Sequence, residues 1–213
     1  MKTKIYNLII LDASGSMSSI EKQAIDGVNE TVQTIREGQK KHEDQEHLVT
    51  LVSFNSSETK KIYDCEPAAG VKELAAEDYN PTSCTPLYDA MGFSITELKK
   101  KLEKEDKVLV TVITDGYENA SKEYDGKAIE KLVDKLKNEG WVFSYIGANQ
   151  DAGKVGHSIG IRNCLDFSST EDGTAIMFAK EKRARNRFFD RLAEAGNQVT
   201  ACMAEDYFDE VKD

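Results

Sequence analysis

The sequence has no apolar run approaching the ~18 residues that a membrane-spanning helix needs, and only three prolines. The first absence argues against a membrane span, and the second against a linker-rich or low-complexity chain. Cysteine is sparse and scattered: Cys65, Cys84, Cys164 and Cys202 form no CxxC pair. Neither a disulfide framework nor a zinc finger follows from that spacing. Basic residues are in deficit, 28 Lys and Arg against 38 Asp and Glu, for a formal net charge of −10. Such a field repels phosphate backbones and anionic lipid, so neither nucleic acid nor a membrane surface is an expected partner. Metals and basic protein surfaces are the better candidates. The start, Met1-Lys2-Thr3-Lys4-Ile5, carries no signal-peptide pattern, so a cytoplasmic location with reduced thiols is the expectation.

What is present is an ordinary globular composition, 39% hydrophobic and 31% charged, over 213 residues. That length suits one sizeable core, and a single domain over 1–213 is expected.

Along the chain, strand-like and helix-like periods alternate. Residues 4–11, 107–114, 141–146 and, more weakly, 161–167 read as buried strands. Residues 48–54 and 59–65, joined by a polar turn, read as a hairpin that supplies an antiparallel edge. Helical spacing links Ile20, Ala24, Val28, Val32 and Ile35, with Ser18 and Glu21 as a capping box and Gly38 as the stop. It also links Leu87, Met91, Ile95, Leu98 and Leu102, with Pro86 as first helical residue and Thr85 as cap. A third stripe holds Ile129, Leu132, Val133 and Leu136 before Gly140, and a last helix over 174–195 has Ile176, Ala179, Phe188 and Leu192 among its apolar positions. The alternation predicts an α/β fold: a three-layer, Rossmann-like, doubly wound sheet, mostly parallel, with helices on both faces.

Ligands of such sheets sit beyond the carboxyl ends of the strands, near the point where strand order reverses. Asp12 follows the first strand and Asp115 the strand at 107–114. If those strands are neighbours, two carboxylates meet at one edge and call for a cation or a proton. Ser14 and Ser16 add hydroxyl oxygens across small Ala13 and Gly15. An oxygen-only set suits a hard divalent ion.

Asp12-Ala13-Ser14-Gly15-Ser16, then Thr85-Pro86-Leu87-Tyr88-Asp89-Ala90, then Thr114-Asp115-Gly116, resemble the DxSxS, TPLYDA and TDG signature of von Willebrand factor A domains. The resemblance runs over about residues 4–167. It implies a metal-ion-dependent adhesion site in which Ser14, Ser16 and Thr85 supply hydroxyls to magnesium, with manganese or calcium as alternatives. Asp12 and Asp115 would stand close and act through water, and an acidic side chain of a partner protein would complete the shell. The family often has glycine two positions before its threonine, where this chain has Ser83; Thr82 is a competing hydroxyl, and Thr85 is preferred for its place at the helix start. Residues 168–213, a basic helix and an acidic tail, lie outside the signature. On that helix Lys180, Arg183, Arg187 and Arg191 share a stripe that faces solvent or docks an acidic surface.

The expected function is therefore a divalent-metal-dependent protein-binding module, not an enzyme. The alternative is magnesium-dependent phosphoryl transfer with Asp12 as nucleophile, in the manner of haloacid-dehalogenase-like phosphatases; that pattern needs a second aspartate where Ser14 stands. No histidine enters either reading: His42, His47 and His157 lie in polar stretches and are expected to be solvated or capping.

Overall fold

The computed structural model describes residues 2–148 and 151–209. Six strands form one sheet: β1 (Thr3–Asp12), β2 (Gln45–Phe54), β3 (Thr59–Pro67), β4 (Lys107–Thr114), β5 (Val142–Ala148) and β6 (Asn163–Phe167). Their order is β3-β2-β1-β4-β5-β6, parallel throughout except for the antiparallel edge strand β3. This is the expected doubly wound architecture, and the strand order reverses between β1 and β4. β1, shielded on both sides, is buried from Ile5 to Asp12, as its unbroken apolar run requires.

Helices cover both faces. On one lie α1 (Glu21–Lys41) and α5 (Glu171–Glu194), packed on Ile5, Ile9 and Leu11 of β1. On the other lie α2 (Leu87–Lys99) and α3 (Gly126–Asn138), packed on Leu8 and Ile10, with the short α4 (Ala152–Ser158) beside them. Alternation along β1 thus feeds two cores. A last short helix, α6 (Ala201–Glu205), was not legible in the sequence, nor was α4. Residues 210–213 of the acidic tail lie outside the described residues. No described helix is long and apolar enough to cross a membrane.

Several local expectations are corrected. Ser18 and Glu21 form no capping box: residues 15–20 make a 3-10 turn, the Ser18 hydroxyl donates to the Gly15 carbonyl, and α1 starts without a side-chain cap. Gly38 does not end α1. It is buried inside the helix, where a Cβ would meet Phe189 Cδ2 at 2.6 Å, and Gly27 plays the same part against Phe178. These two glycines let α1 and α5 cross closely. On α5 the inward face is Met177, Phe178, Glu181, Ala184, Arg185 and Phe188, whereas Ile176 and Ala179 face outward.

That inward face carries a charge. Arg185 is fully buried, bonded to Glu181 Oε1 along its own helix at 2.8 Å and to Asn7 Oδ1 and Thr111 Oγ1 of the sheet, both at 2.9 Å. Tyr207 also donates to Glu181 Oε1, at 3.1 Å. His47 is not solvated: it is buried on β2, edge-on to Phe189 and bonded to Gln45. Part of the basic stripe docks on the chain's own C-terminal segment, Arg187 donating to the carbonyls of Asp206 and Tyr207 and Arg191 pairing with the Asp206 carboxylate.

Candidate metal centre

The reversal of strand order places the ends of β1 and β4 side by side, Leu11 in register with Ile113. Asp12 and Thr114 therefore leave the sheet as neighbours. The Thr114 hydroxyl donates to Asp12 Oδ2 at 2.6 Å, and the Ser14 amide donates to Asp12 Oδ1 at 2.7 Å. That second bond closes a tight turn and sends Ser14 and Ser16 back over the strand end. Their hydroxyls are 3.2 Å apart, and Ser16 donates to Asp115 Oδ1 at 2.5 Å. One hydrogen-bonded chain of oxygens thus links the two strand ends.

The remaining member comes from the segment that enters α2. Residues 79–85 are sewn to the first loop: Tyr79 donates to the Asp12 carbonyl, Thr82 N to the Ala13 carbonyl and Gly15 N to the Ser83 carbonyl. Thr85 is buried, and Thr82 is exposed. A Cβ added to Gly116 would lie 2.9 Å from Thr85 Oγ1, 3.6 Å from Asp12 Oδ2 and 3.7 Å from Ser14 Oγ. Three oxygens from two segments, the loop after β1 and the segment that enters α2, therefore face one small space that the glycine of a third keeps open. Asp12, Ser14 and Thr85 are buried, whereas Ser16 is exposed and Asp115 half-buried, joined to the others through the Ser14–Ser16–Asp115 hydrogen bonds.

Thr85 does not cap α2, contrary to the sequence expectation. Pro86 takes the cap position with no side-chain bond, and α2 begins at Leu87. Its first free amides are met from the loop after β4: Tyr88 N donates to Glu118 Oε2 at 2.9 Å and Asp89 N to Ser121 Oγ at 3.0 Å. Sequence reasoning missed Glu118, Asn119 and Ser121, because nothing in their spacing marks a cap that comes from a distant loop. Thr114 and Asp89 stood inside quoted motifs without a role.

Burial pushes the Asp12 carboxyl up to about 6 against the hydrogen bonds from Thr114 and Ser14, and it raises Asp115 as well against the Ser16 hydroxyl. Two half-starved carboxylates beside hydroxyl oxygens make a set fit for a hard cation. Among the described residues no three His, Cys, Asp or Glu side chains cluster in a way that would hold a metal alone. The four cysteines are free thiols.

A sequence model of the von Willebrand factor type A domain matches residues 8–191, which takes in most of α5. No curated protein matches the chain in sequence. Among solved structures the fold is similar to proximal thread matrix protein 1 from the mussel byssus, with TM-score 0.64 and 15% identity over 87% of this chain and 47% of that one. It is also similar to the SpRpn10 VWA domain, TM-score 0.57 and 12% identity over 83% of this chain and 94% of that one. The vWF domain of the type V pili tip protein Mfa5 from Porphyromonas gingivalis gives TM-score 0.57 and 12% identity over 92% of this chain and 96% of that one. The chain spans about half the length of the byssus protein, and at these identities the likeness is one of fold.

Proposed function

Since the chain belongs to the von Willebrand factor type A domain family, we propose that it is a divalent-metal-dependent module that binds an acidic side chain of a partner protein. Ser14, Ser16 and Thr85 would hold a magnesium ion through their hydroxyls, with manganese or calcium as substitutes, and Asp12 and Asp115 would stand behind them. The observation that carries this reading is the convergence of Thr85 Oγ1, Asp12 Oδ2 and Ser14 Oγ on the space beside Gly116.

The metal would supply an electrophilic position that a carboxylate can occupy. The chain's own residues do the rest. Hydroxyl donors leave the ion's charge largely uncompensated, and buried Asp12 spends both oxygens on Ser14 N and Thr114. Asp115, half-buried and bonded to Ser16, orients the outermost hydroxyl. Single-domain organisation and a cytoplasmic setting belong to the same proposal; the free thiols are what supports a reducing compartment.

Nothing in the site favours the phosphoryl-transfer alternative. Asp12 is fully buried with both oxygens bonded, which suits a supporting carboxylate and not a nucleophile that must reach a phosphorus atom.

The test is calorimetric titration of Mg2+ and Mn2+ into EDTA-treated protein, wild type beside Asp12→Ala and Ser14→Ala/Ser16→Ala. One saturable site, lost in both variants, is expected. Saturable binding that survives in both variants would place the metal elsewhere and defeat the reading.

A further inference from the structure

We propose that Glu118 and Asn119 are positioning residues for Thr85: Glu118, with Ser121, performs the helix capping that Thr85 would otherwise perform, Asn119 holds the Thr85 backbone, and the Thr85 hydroxyl is thereby released to face the metal position. The role of that hydroxyl rests on the metal-binding reading; the capping relay itself does not.

A threonine just before a helix ordinarily spends its hydroxyl on one of the first unpaired amides. Thr85 stands two residues before α2, yet among the described residues its hydroxyl makes no hydrogen bond, and it points instead at the space beside Gly116. The amide three residues on, which a capping Thr85 would have served, is taken: Glu118 Oε2 accepts from Tyr88 N, and Ser121 Oγ accepts from the next amide, Asp89 N. Glu118 is itself fixed in place, its Oε1 accepting from Ala120 N at 2.8 Å and Ser121 N at 2.7 Å, its Oε2 from Ser121 Oγ at 2.7 Å. A carboxylate there also meets the positive end of the helix dipole.

The grip is mutual. Asp89, in the first turn of α2, accepts the amides of Lys122, Glu123 and Tyr124 from the same loop, at 2.8, 2.9 and 2.8 Å. Asn119 takes both backbone groups of Thr85: its Oδ1 accepts from Thr85 N at 2.9 Å and its backbone N–H donates to Thr85 O at 3.1 Å. The loop that carries Asp115 out of β4 thus also sets where Thr85 stands, so two proposed members of the site are held by one segment.

The experiment is a double-mutant cycle on EDTA-treated full-length protein, read by melting temperature, with Mn2+ titration as a second readout. Thr85→Val removes the hydroxyl and keeps the shape. In the wild-type background it is expected to shift Tm by less than about 1 °C, whereas loss of a working cap lowers a domain of this size by about 2–4 °C. In the Glu118→Ala background, where the hydroxyl is recruited to the bare helix end, the same substitution is expected to lower Tm by that amount. A full loss already in the wild type, or none in either background, would overturn the relay.

On the metal side, Glu118→Ala and Asn119→Ala are expected to weaken Mn2+ binding by at least about tenfold while the protein stays folded. Asn119→Asp, which retains the acceptor for Thr85 N, is expected to restore it. Unchanged affinity in both alanine variants would overturn the positioning role. If Glu118→Ala does not fold, Glu118→Ser, whose short hydroxyl falls away from Tyr88 N, replaces it in the cycle. A wild type that binds no Mn2+ would defeat the metal reading alone, and the melting temperatures would still decide the relay.

Discussion

The Thr114 hydroxyl donates to Asp12 Oδ2 at 2.6 Å, joining the ends of the two strands between which the sheet reverses its order. The bond fixes the buried carboxylate that backs the proposed metal. It also sits where one chain segment's mistake would be felt by all three, because Gly116, Thr85 and Ser14 share the same few ångströms.

Asp12→Asn is expected to make the metal-free protein more stable and to abolish metal binding. Burial raises the Asp12 carboxyl from 3.8 to about 6, so the folded state holds a proton that the unfolded chain has released between those values. Stability from this group therefore falls as pH rises through that window, and the full cost, about 3 kcal/mol, is present at pH 7.5. An asparagine can keep the Ser14 bond and donate to Thr114 Oγ1, which then turns its proton to Gly116 O. A melting curve in EDTA should rise by several degrees; a fall would show that the charge is not a burden.

His47 works in the opposite sense. Burial, reinforced by Arg185, pushes its imidazole down from 6.5 to about 3. Below 6.5 the unfolded chain takes a proton that the folded chain refuses, so stability is lost as pH falls. From pH 7 to pH 4.5 the loss from this group is about 3 kcal/mol. Urea unfolding at the two values, wild type against His47→Gln, isolates it: the variant should lose correspondingly less.

Ser83 stands at φ +64 where the family often has glycine, and a side chain in that conformation costs about 1–2 kcal/mol. Ser83→Gly gives up the exposed Ser57–Ser83 bond of 2.9 Å and some unfolded-state entropy. A net gain of about 0.5–1 kcal/mol in chemical denaturation is expected, with Mn2+ affinity unaltered.

Gly27→Ala is expected to destabilise by about 1–3 kcal/mol, even though alanine is the better helix former by about 1 kcal/mol. A Cβ there falls 2.0 Å from the Phe178 ring, so α1 and α5 must separate. Urea unfolding of the variant would contradict the close crossing if it showed a gain.

The legible parts were those written in local pattern. The strands at 4–11 and 107–114 correspond to β1 and β4 to within a residue or so, because a strand covered on both faces needs a continuous apolar run. The three motifs that carry Asp12, Ser14, Ser16, Thr85 and Asp115 lie together, as strand-end loops of a doubly wound sheet should. Thr85 as cap and Gly38 as stop were misread for a shared reason: each is settled by a partner remote in sequence, namely Glu118 and Phe189.

By itself, then, the sequence determined the alternation of strands and helices, the edge hairpin, and which oxygen-bearing side chains stand at the strand ends, since these depend on side-chain period and on residue chemistry close along the chain. Only the tertiary structure decided that Thr85 faces Gly116 with its hydroxyl free, that Glu118 closes the end of α2, and that Arg185 is buried while Ile176 is not. Those outcomes turn on which groups satisfy one another's hydrogen bonds across the fold, and a buried amide or guanidinium is satisfied by whatever the topology brings beside it.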